Sequence, residues 1–566
     1  MIRLTTHDGQ SLELAPDARL TLAQRIFLAG LWDGVPLCAG LGKCGLCRVR
    51  FVAAASQSAA EPAAPESAAP EPAAEELKRL GQTAIDQGWR LACLHPATAC
   101  ELELPEPKRS AQPRSNVATA QSAQHPDGLN LAVDLGTTSI HWAVSAAAAQ
   151  NAPPSAQPST QPSTQTDTTV LSSGQGLNPQ MGLGSEVMSR LSFAARPGGG
   201  EILSSLCLER LRTLVREAET RHKAKVARLC VAGNSAMTYL LLGLPLEGLS
   251  RAPYRLDYAG GDDRAIAPGL PLTRIPPLLS PFVGADLSAG LAALTFAARR
   301  NEAGPPRYPF LLADLGTNGE FVLALSPTEH LLASVPMGPA LEGVGLRHGR
   351  TAAPGAVRAF ALTPAGLKPE YIERPPLTGA DGKSEDPGIT GVGYLSLVAA
   401  LRRAGVLDDS ARFVVPATPL GKRIASGLGL VQGEPVLDLG SGLALPATDV
   451  EELVKVKAAF NLALSRLLAE SGLAASALTA VYLAGAMGEH VDARDLATLG
   501  FLPEVLAARL VRAGNTSLEG AGLLLHSAEA WAWVRALPAS CRALDLASDP
   551  RFGALFVERM VLRHVA

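Results

Sequence analysis

The 566-residue chain has no apolar run long enough to cross a bilayer, and its 47% apolar content owes much to alanine. Its first residues alternate like a strand and lack the charged segment and apolar core of a secretory signal, so the expected location is the cytoplasm. Excess charge of either sign is missing too. Fifty Lys and Arg against 53 Asp and Glu leave a net charge of −3 with no clustered basic stripe, which removes the electrostatic case for nucleic acid or an anionic membrane. No Walker A loop occurs, because Gly421-Lys422 has no upstream glycine at the required spacing and is followed by arginine. The length admits two or three domains with substantial cores. Against these absences stand eight unevenly placed cysteines and a set of recurring glycine turns.

Three of the cysteines share one loop, Cys38-Ala-Gly-Leu-Gly-Lys-Cys44-Gly-Leu-Cys47, and Cys93 follows well downstream. The spacing C-x5-C-x2-C with a distant fourth is close to the one that wraps thiolates around a plant-type 2Fe-2S cluster. The glycines let the loop curl until amide N–H groups face the sulfides, which favours the reduced cluster. Structural zinc usually takes two close cysteine pairs, and only Cys44 and Cys47 make one. Cys93 competes with Cys100 for the fourth position, and Trp89-Arg-Leu-Ala-Cys93 resembles the ferredoxin ending, which selects Cys93. Cys100, Cys207, Cys230 and Cys541 read as ordinary core thiols. Around the loop, Ile2, Leu4, Leu12 and Leu14 flank a turn, residues 21–31 read as a short helix, and residues 47–52 alternate like a half-buried strand. Hairpin, helix, cysteine loop and strand follow the order of a β-grasp ferredoxin, expected over residues 1–104.

Three tracts, residues 53–75, 105–128 and 146–169, are too poor in hydrophobic variety to pack and are expected to be disordered. The middle one is a linker. A flexible segment of that length has a root-mean-square span of ~25–30 Å, which predicts a ferredoxin that swings between an electron donor and a docked partner.

Two further segments repeat one another: Ala132-Val-Asp134-Leu-Gly136-Thr137-Thr138 and Ala313-Asp314-Leu-Gly316-Thr317-Asn318-Gly319-Glu320. Each follows an apolar run and precedes another, which suits strand, tight turn and returning strand. Such a turn handles phosphate: glycine admits it without a Cβ in the way, N–H groups and threonine hydroxyls donate to its oxygens, and the aspartate holds magnesium or its waters. A third copy, Asp438-Leu-Gly440-Ser441-Gly442, reads as a decoy turn before a helix that Thr448 and Glu451 cap and Gly472 closes. A later element, Val481-Tyr-Leu-Ala-Gly485-Ala-Met-Gly488, ends an apolar strand and suits close approach of an adenosine.

The two Asp-x-Gly-Thr loops and this turn together resemble the acetate and sugar kinase, Hsc70 and actin superfamily. That likeness implies two ribonuclease H-like lobes, residues 129–305 and 306–566, with ATP between them, so the fold class is multidomain α+β and α/β. With a ferredoxin in front, the chain resembles the reductive activators of corrinoid proteins. Further matching stretches are Asn178-Pro-Gln180, Gly184-Ser-Glu-Val-Met-Ser-Arg190, Gly233-Asn234-Ser235-Ala-Met237, Val283-Gly-Ala-Asp286, Gly338-Pro-Ala-Leu-Glu342-Gly343 and Gly514-Asn515-Thr516-Ser517. The family's Gly-Pro-Ala-Phe-Glu-Gly carries Leu341 here, and its Ala-Gly-Gly-Phe-Gly turn becomes Ala484-Gly-Ala-Met-Gly488.

The resemblance implies an ATP-dependent reductase that returns the cob(II)amide of a partner corrinoid methyl-carrier protein to cob(I)amide. Cys38, Cys44, Cys47 and Cys93 would carry the electron; Asp134, Gly136, Thr137 and Thr138 would form one phosphate loop and Asp314, Gly316, Thr317, Asn318 and Gly319 the other. Gly485 and Gly488 would border adenosine. Asp134 and Asp314 would organise Mg2+ and the attacking water, with Glu320 and Glu342 as further candidates or as salt-bridged strand ends. Asn234 and Asn515 sit in Gly-Asn dipeptides that read first as turns. His141, His348 and His490 read as structural. No Asp-x-His-x-x-Gly corrinoid signature occurs, so the corrinoid belongs to the partner. An external low-potential electron donor is implied, and a homodimer is left open. Two other readings are an electron donor of the radical-dehydratase-activating kind and a nucleotide-sensing scaffold tethered to a ferredoxin.

Overall fold

A computed structural model describes residues 1–52, 69–107, 128–147, 170–296, 305–373 and 388–565, apart from 34, 36, 39, 41, 43, 344, 351, 353, 486–490 and 547. Most of the three low-complexity tracts lies outside the described residues. The first was expected to reach residue 75, yet a helix already begins at Ala74 and runs to Leu80, where Glu76 folds back to accept from the Ala73 N–H at 2.8 Å.

The amino-terminal unit is one five-stranded sheet in the order Ser11–Leu14, Ile2–Thr5, Cys100–Glu103, Arg48–Phe51, Trp89–Leu91. Its central pair, Ile2–Thr5 and Cys100–Glu103, is parallel; its neighbours are antiparallel. Alternation in Ile2–Thr5 turns Ile2 and Leu4 into the core. The helix Leu22–Leu28 packs across this sheet after a capping box in which Thr21 and Gln24 satisfy each other's backbone N–H. This is the β-grasp arrangement.

The remainder holds two six-stranded sheets with one plan. In the first the order is Val170–Leu177, Ser139–Ala146, Leu129–Leu135, Val226–Gly233, Thr273–Ile275, Asp262–Arg264. In the second it is Leu510–Gly514, Ala480–Gly485, Phe310–Leu315, Asn318–Ser326, Glu329–Pro336, Cys541–Ala543. Each is built on a hairpin, Leu129–Leu135 with Ser139–Ala146 and Phe310–Leu315 with Asn318–Ser326. A third strand extends each hairpin antiparallel on one side, and parallel strands continue it on the other. Strands buried on both faces read as continuous apolar runs, which is why Leu129–Leu135 and Phe310–Leu315 carry almost no polar residue before their aspartates. The repeat seen in the sequence is thus a repeat of supersecondary structure.

The two lobes meet over a shared core. Ala132, Cys230 and Ala232 of the first sheet and Leu312, Val322 and Ala324 of the second belong to one buried cluster with the helices Ala285–Phe296 and Thr516–His526. Those helices touch at Gly520, where an added Cβ would lie 1.9 Å from the Ala289 carbonyl oxygen. Gly520→Ala is expected to lower the folding stability by about 1–3 kcal/mol, the overpacking cost exceeding the helix-propensity gain of alanine. Thermal or urea melts of the nucleotide-free protein test this; an unchanged or raised midpoint would contradict the packing.

The decoy turn is a surface hairpin between Glu434–Gly440 and Leu443–Pro446, with Asp438 exposed. The helix after it runs Ala447–Ser471 and closes on left-handed Gly472 as expected, but its N-cap is Pro446, with no side-chain cap. Thr448 is not the cap because the helix begins one residue before it, at Ala447; as the second helical residue it offers its N–H to Glu434 Oε1 at 2.9 Å.

Candidate functional site

The hairpin turns of the two lobes face each other directly. Thr138 Oγ1 and Thr317 Oγ1 hydrogen-bond at 2.8 Å, although 179 residues separate them. Thr137, Thr138 and Thr317 are all buried. Each loop is held from behind. Asn178 Nδ2 donates to the Gly136 carbonyl at 2.7 Å and Asn234 Nδ2 to Thr137 Oγ1 at 3.0 Å, while Glu342 Oε1 accepts from Thr317 N at 3.0 Å and Thr317 Oγ1 at 3.2 Å. The Gly316 N–H bonds to the Asn318 carbonyl at 3.1 Å, and Gly319 opens the returning strand opposite Leu315. Gly485 ends the neighbouring strand with φ of 75°, and a Cβ there would sit 2.2 Å from Asp314 Oδ1. Only glycine lets that carboxylate lie against backbone. Gly488 and His490 fall outside the described residues.

Asp134, Asp314, Glu320 and Glu342 converge on this cleft together with a fifth carboxylate, Asp286, at the start of the helix Ala285–Phe296. Asp314 and Glu320 are cross-strand partners, so both project to the same face. Burial pushes the Asp286 carboxyl up to about 7, and the Asp134 charge adds to this against the Leu287 N–H that donates to it. Asp314 is raised well above its ordinary value by burial and then by Asp286, Asp134 and Glu342. Glu320 is raised by burial, Asp286 and Asp314. Glu342 is raised by burial, and its Oε2 is buried with no hydrogen-bond partner among the described residues. Such a group of carboxylates, with one oxygen left orphaned, is suited to a divalent cation and its waters.

Asp134 is differently placed. Asn515 Nδ2 donates to its Oδ2 at 2.7 Å and Ser517 Oγ to its Oδ1 at 2.9 Å, while His141 Nδ1 stands 3.3 Å from Oδ2. Burial lowers the His141 imidazole, but Asp134 with Gln175 and Glu342 outweighs it and carries the value above the ordinary one. His141, read as structural, therefore borders the site. Asn234 and Asn515 are turn residues as expected, each capping a helix, and each also reaches the first Asp-x-Gly-Thr loop. His348 has no such place: its backbone N–H bonds to the Tyr394 hydroxyl at 3.0 Å. Asp286 and Ser517 lie in two of the stretches that carry the family resemblance, Val283-Gly-Ala-Asp286 and Gly514-Asn515-Thr516-Ser517, but nothing local assigns either to the cleft.

A carboxyl whose folded value lies above its unfolded one makes the fold less stable as pH rises between the two. For Asp286 the window is 3.8 to about 7, below which the cost is absent and above which it is complete. Asp286→Asn is expected to raise the melting temperature of the nucleotide-free protein by a few °C at pH 8 and by much less at pH 4. Equal shifts at both pH values would contradict the assignment.

At the other site, Cys38, Cys44, Cys47 and Cys93 line one hollow together with Thr21, Gln24, Leu37 and Gly182. Cys93 lies in a single 3-10 turn, Ala92–Leu94, at the end of the strand Trp89–Leu91, close to the Cys38 and Cys47 thiols. Those contacts, with burial and the neighbouring sulfurs, hold Cys93 well above its ordinary value. Cys44 is held up first by its contact with Cys38, then by burial. The Leu46 N–H points at Cys44 Sγ at 3.5 Å. Cys100 is elsewhere, on a strand paired with Ile2, where burial pushes its thiol up to about 11. As they stand, no three His, Cys, Asp or Glu among the described residues are arranged around a single metal ion. Four clustered sulfurs, three of them buried, fit a cationic iron–sulfur group.

In the structure the amino-terminal unit sits on the first lobe. Leu20, Phe27 and Leu28 pack onto that lobe's core, the Phe27 ring covers Gly182, and Ser185 Oγ donates to the Cys38 carbonyl at 3.2 Å. Arg79 Nη2 donates to the Cys44 carbonyl at 3.1 Å, and its charge also acts on Asp449 and Tyr394 of the second lobe.

Residues 309–566 match the family model described as the C-terminal domain of RACo, the ASKHA domain, and residues 164–299 match the one described as the RACo middle region. The chain is 26% identical over 397 residues to the corrinoid activation enzyme RamQ of Eubacterium limosum, covering 66% of this chain and 63% of that protein. It is 28% identical over 363 residues to the [Co(II) methylated amine-specific corrinoid protein] reductase of Methanosarcina barkeri, covering 59% and 62%. The matches thus span less than two thirds of either relative. A solved structure titled reductive activator for corrinoid,iron-sulfur protein superposes over 100% of this chain and 99% of its own, with a TM-score of 0.62 at 21% identity, and so shares the fold. No helix among the described residues is long and apolar enough to cross a membrane. With two lobes built on facing Asp-x-Gly-Thr hairpins, a cysteine-lined β-grasp unit docked on the first, and two consecutive RACo family models over residues 164–299 and 309–566, the chain belongs to the RACo family.

Proposed function

We propose that this protein is an ATP-dependent reductase that passes one electron from a 2Fe-2S cluster to the cob(II)amide of a partner corrinoid methyl-carrier protein, regenerating cob(I)amide. In this reading residues 1–104 carry the electron, residues 129–305 and 306–566 are the ATPase lobes, and an external low-potential donor refills the cluster. The observation that supports it most is the direct seating of the cysteine loop on the lobe that holds the first phosphate loop. The names of the two relatives, a corrinoid activation enzyme and a corrinoid protein reductase, point the same way.

Cys38, Cys44, Cys47 and Cys93 would hold the cluster, which supplies a one-electron carrier. The Leu46 N–H aimed at Cys44 Sγ favours the more negative, reduced form. Gly136, Thr137, Thr138, Gly316, Thr317, Asn318 and Gly319 would bind the nucleotide phosphates, with Gly485 beside Asp314. Asp134, Asp286, Asp314, Glu320 and Glu342 would place Mg2+ and the attacking water. A nucleotide is needed on energetic grounds. A plant-type cluster lies near roughly −400 mV, and each ~59 mV of shortfall against the cobalt couple costs a factor of about ten in equilibrium. ATP bridging two loops already in contact stabilises the closed cleft over the open one, and a differential affinity of the two states for the partner supplies the missing driving force.

The test is anaerobic spectroscopy of the purified protein with a low-potential reductant and candidate corrinoid proteins. The cob(I)amide band is expected with ATP and absent without it. No ATP-dependent band with any corrinoid partner would overturn the proposal.

A further inference from the structure

The first phosphate loop is suspended from a single buried segment. Asn178 Nδ2 donates to the Gly136 carbonyl at 2.7 Å, Arg190 Nη2 to the Thr137 carbonyl, and the Asn178 N–H to the Thr138 carbonyl at 2.8 Å. All three loop carbonyls are thus drawn to one side. Because C=O and N–H of a trans peptide point in opposite directions, the loop's N–H groups are turned away from that segment. Arg190 is completely buried, and its other nitrogens bind the Gly184 carbonyl at 2.8 Å and Gln180 Oε1 at 3.1 Å. It is therefore the tie that closes residues 178–190 into one rigid piece. A planar guanidinium reaches three separate acceptors in fixed directions, which an ammonium on a flexible stem does not.

The opposite face of the same piece is the seat of the cysteine loop. Ser185, next to the Gly184 that Arg190 holds, donates to the Cys38 carbonyl at 3.2 Å, and Gly182 lies under Phe27 and lines the cysteine hollow. Gln180, Asn178 and Ser185 are buried as well, so the piece has no solvent-facing slack along this path. A displacement of the Thr137 carbonyl is passed to Gly184 by one side chain and to Cys38 by one hydrogen bond more.

We propose that Arg190 is a positioning residue that ties the first phosphate loop to the seat of Cys38, so that nucleotide in the cleft changes the surroundings of the cluster. This rests on the reading of the cleft as a nucleotide site and of the four cysteines as cluster ligands. Its consequence is that the electron carrier senses the state of the cleft before any partner is bound.

The experiment uses the full-length, cluster-loaded protein, reduced anaerobically, with and without a non-hydrolysable ATP analogue and Mg2+. Nucleotide affinity and the electron paramagnetic resonance spectrum of the cluster are read on the same samples. The wild-type spectrum is expected to shift on nucleotide binding. Ser185→Ala is expected to bind nucleotide within about twofold of wild type, since it lies away from the cleft, and to lose the shift. Arg190→Lys is expected to bind about tenfold more weakly and to lose the shift even at saturation. Arg196→Ala, which removes another contact to the ferredoxin at the Arg19 carbonyl, is expected to keep it. Should Arg190→Lys fail to fold, Ser185→Ala against Arg196→Ala decides alone. A full shift in Ser185→Ala, or none in wild type that binds nucleotide, overturns this inference and leaves the proposed function standing. Wild type that holds no cluster or binds no nucleotide overturns both.

Discussion

Asp314→Asn is expected to lower ATP turnover, and with it ATP-dependent reduction, by at least ~10²-fold, the usual cost of removing a group that orients the attacking water and takes its proton. The same substitution is expected to leave the protein at least as stable as before. Burial raises the Asp314 carboxyl well above the ordinary range and Asp286, Asp134 and Glu342 add to it, so the native fold carries a desolvation and repulsion cost that asparagine relieves at nearly equal volume. Gly485 already accommodates the planar group that both side chains present. Activity and stability should therefore move in opposite directions. Turnover measured beside thermal midpoints checks this, and a variant that is both inactive and unfolded would show that the carboxylate is structural.

Cys93→Ser is expected to abolish or strongly deplete cluster binding, read as iron content and visible absorption, whereas Cys100→Ser should leave both unchanged. The two thiols are seven residues apart in sequence, but strand geometry separates them. Cys93 leaves the strand Trp89–Leu91 in a 3-10 turn that aims it at Cys38 and Cys47, while Cys100 begins the strand that pairs with Ile2. A Cys100 variant that loses iron, or a Cys93 variant that retains the wild-type spectrum, would reverse the assignment of the fourth ligand.

Local chemistry was legible in the chain itself. The cysteine loop, the two Asp-x-Gly-Thr turns and the alternation around Ile2 and Leu4 are short-range patterns whose backbone needs are met by neighbouring residues. The β-grasp order and the duplicated hairpins follow from them. Asn234 and Asn515 were readable as turns for the same reason, but their second task, reaching Thr137 and Asp134, was not. The capping box at Thr448 failed because the helix starts earlier, at Ala447, with Glu434 from a distant strand taking the Thr448 N–H.

What the sequence by itself determined is the inventory: four thiols in a cluster-like spacing, two Asp-x-Gly-Thr turns, and no Walker A pattern. Only tertiary structure decided which members meet. It added Asp286 and His141 to the cleft, because helix and strand ends from distant segments converge there, and it set Thr138 on Thr317. It also docked the cysteine loop on Gly182 and Ser185, where the linker alone suggested free motion. These contacts arise from packing between elements far apart in the chain, and burial then gives the gathered carboxylates and thiols values that no local motif encodes.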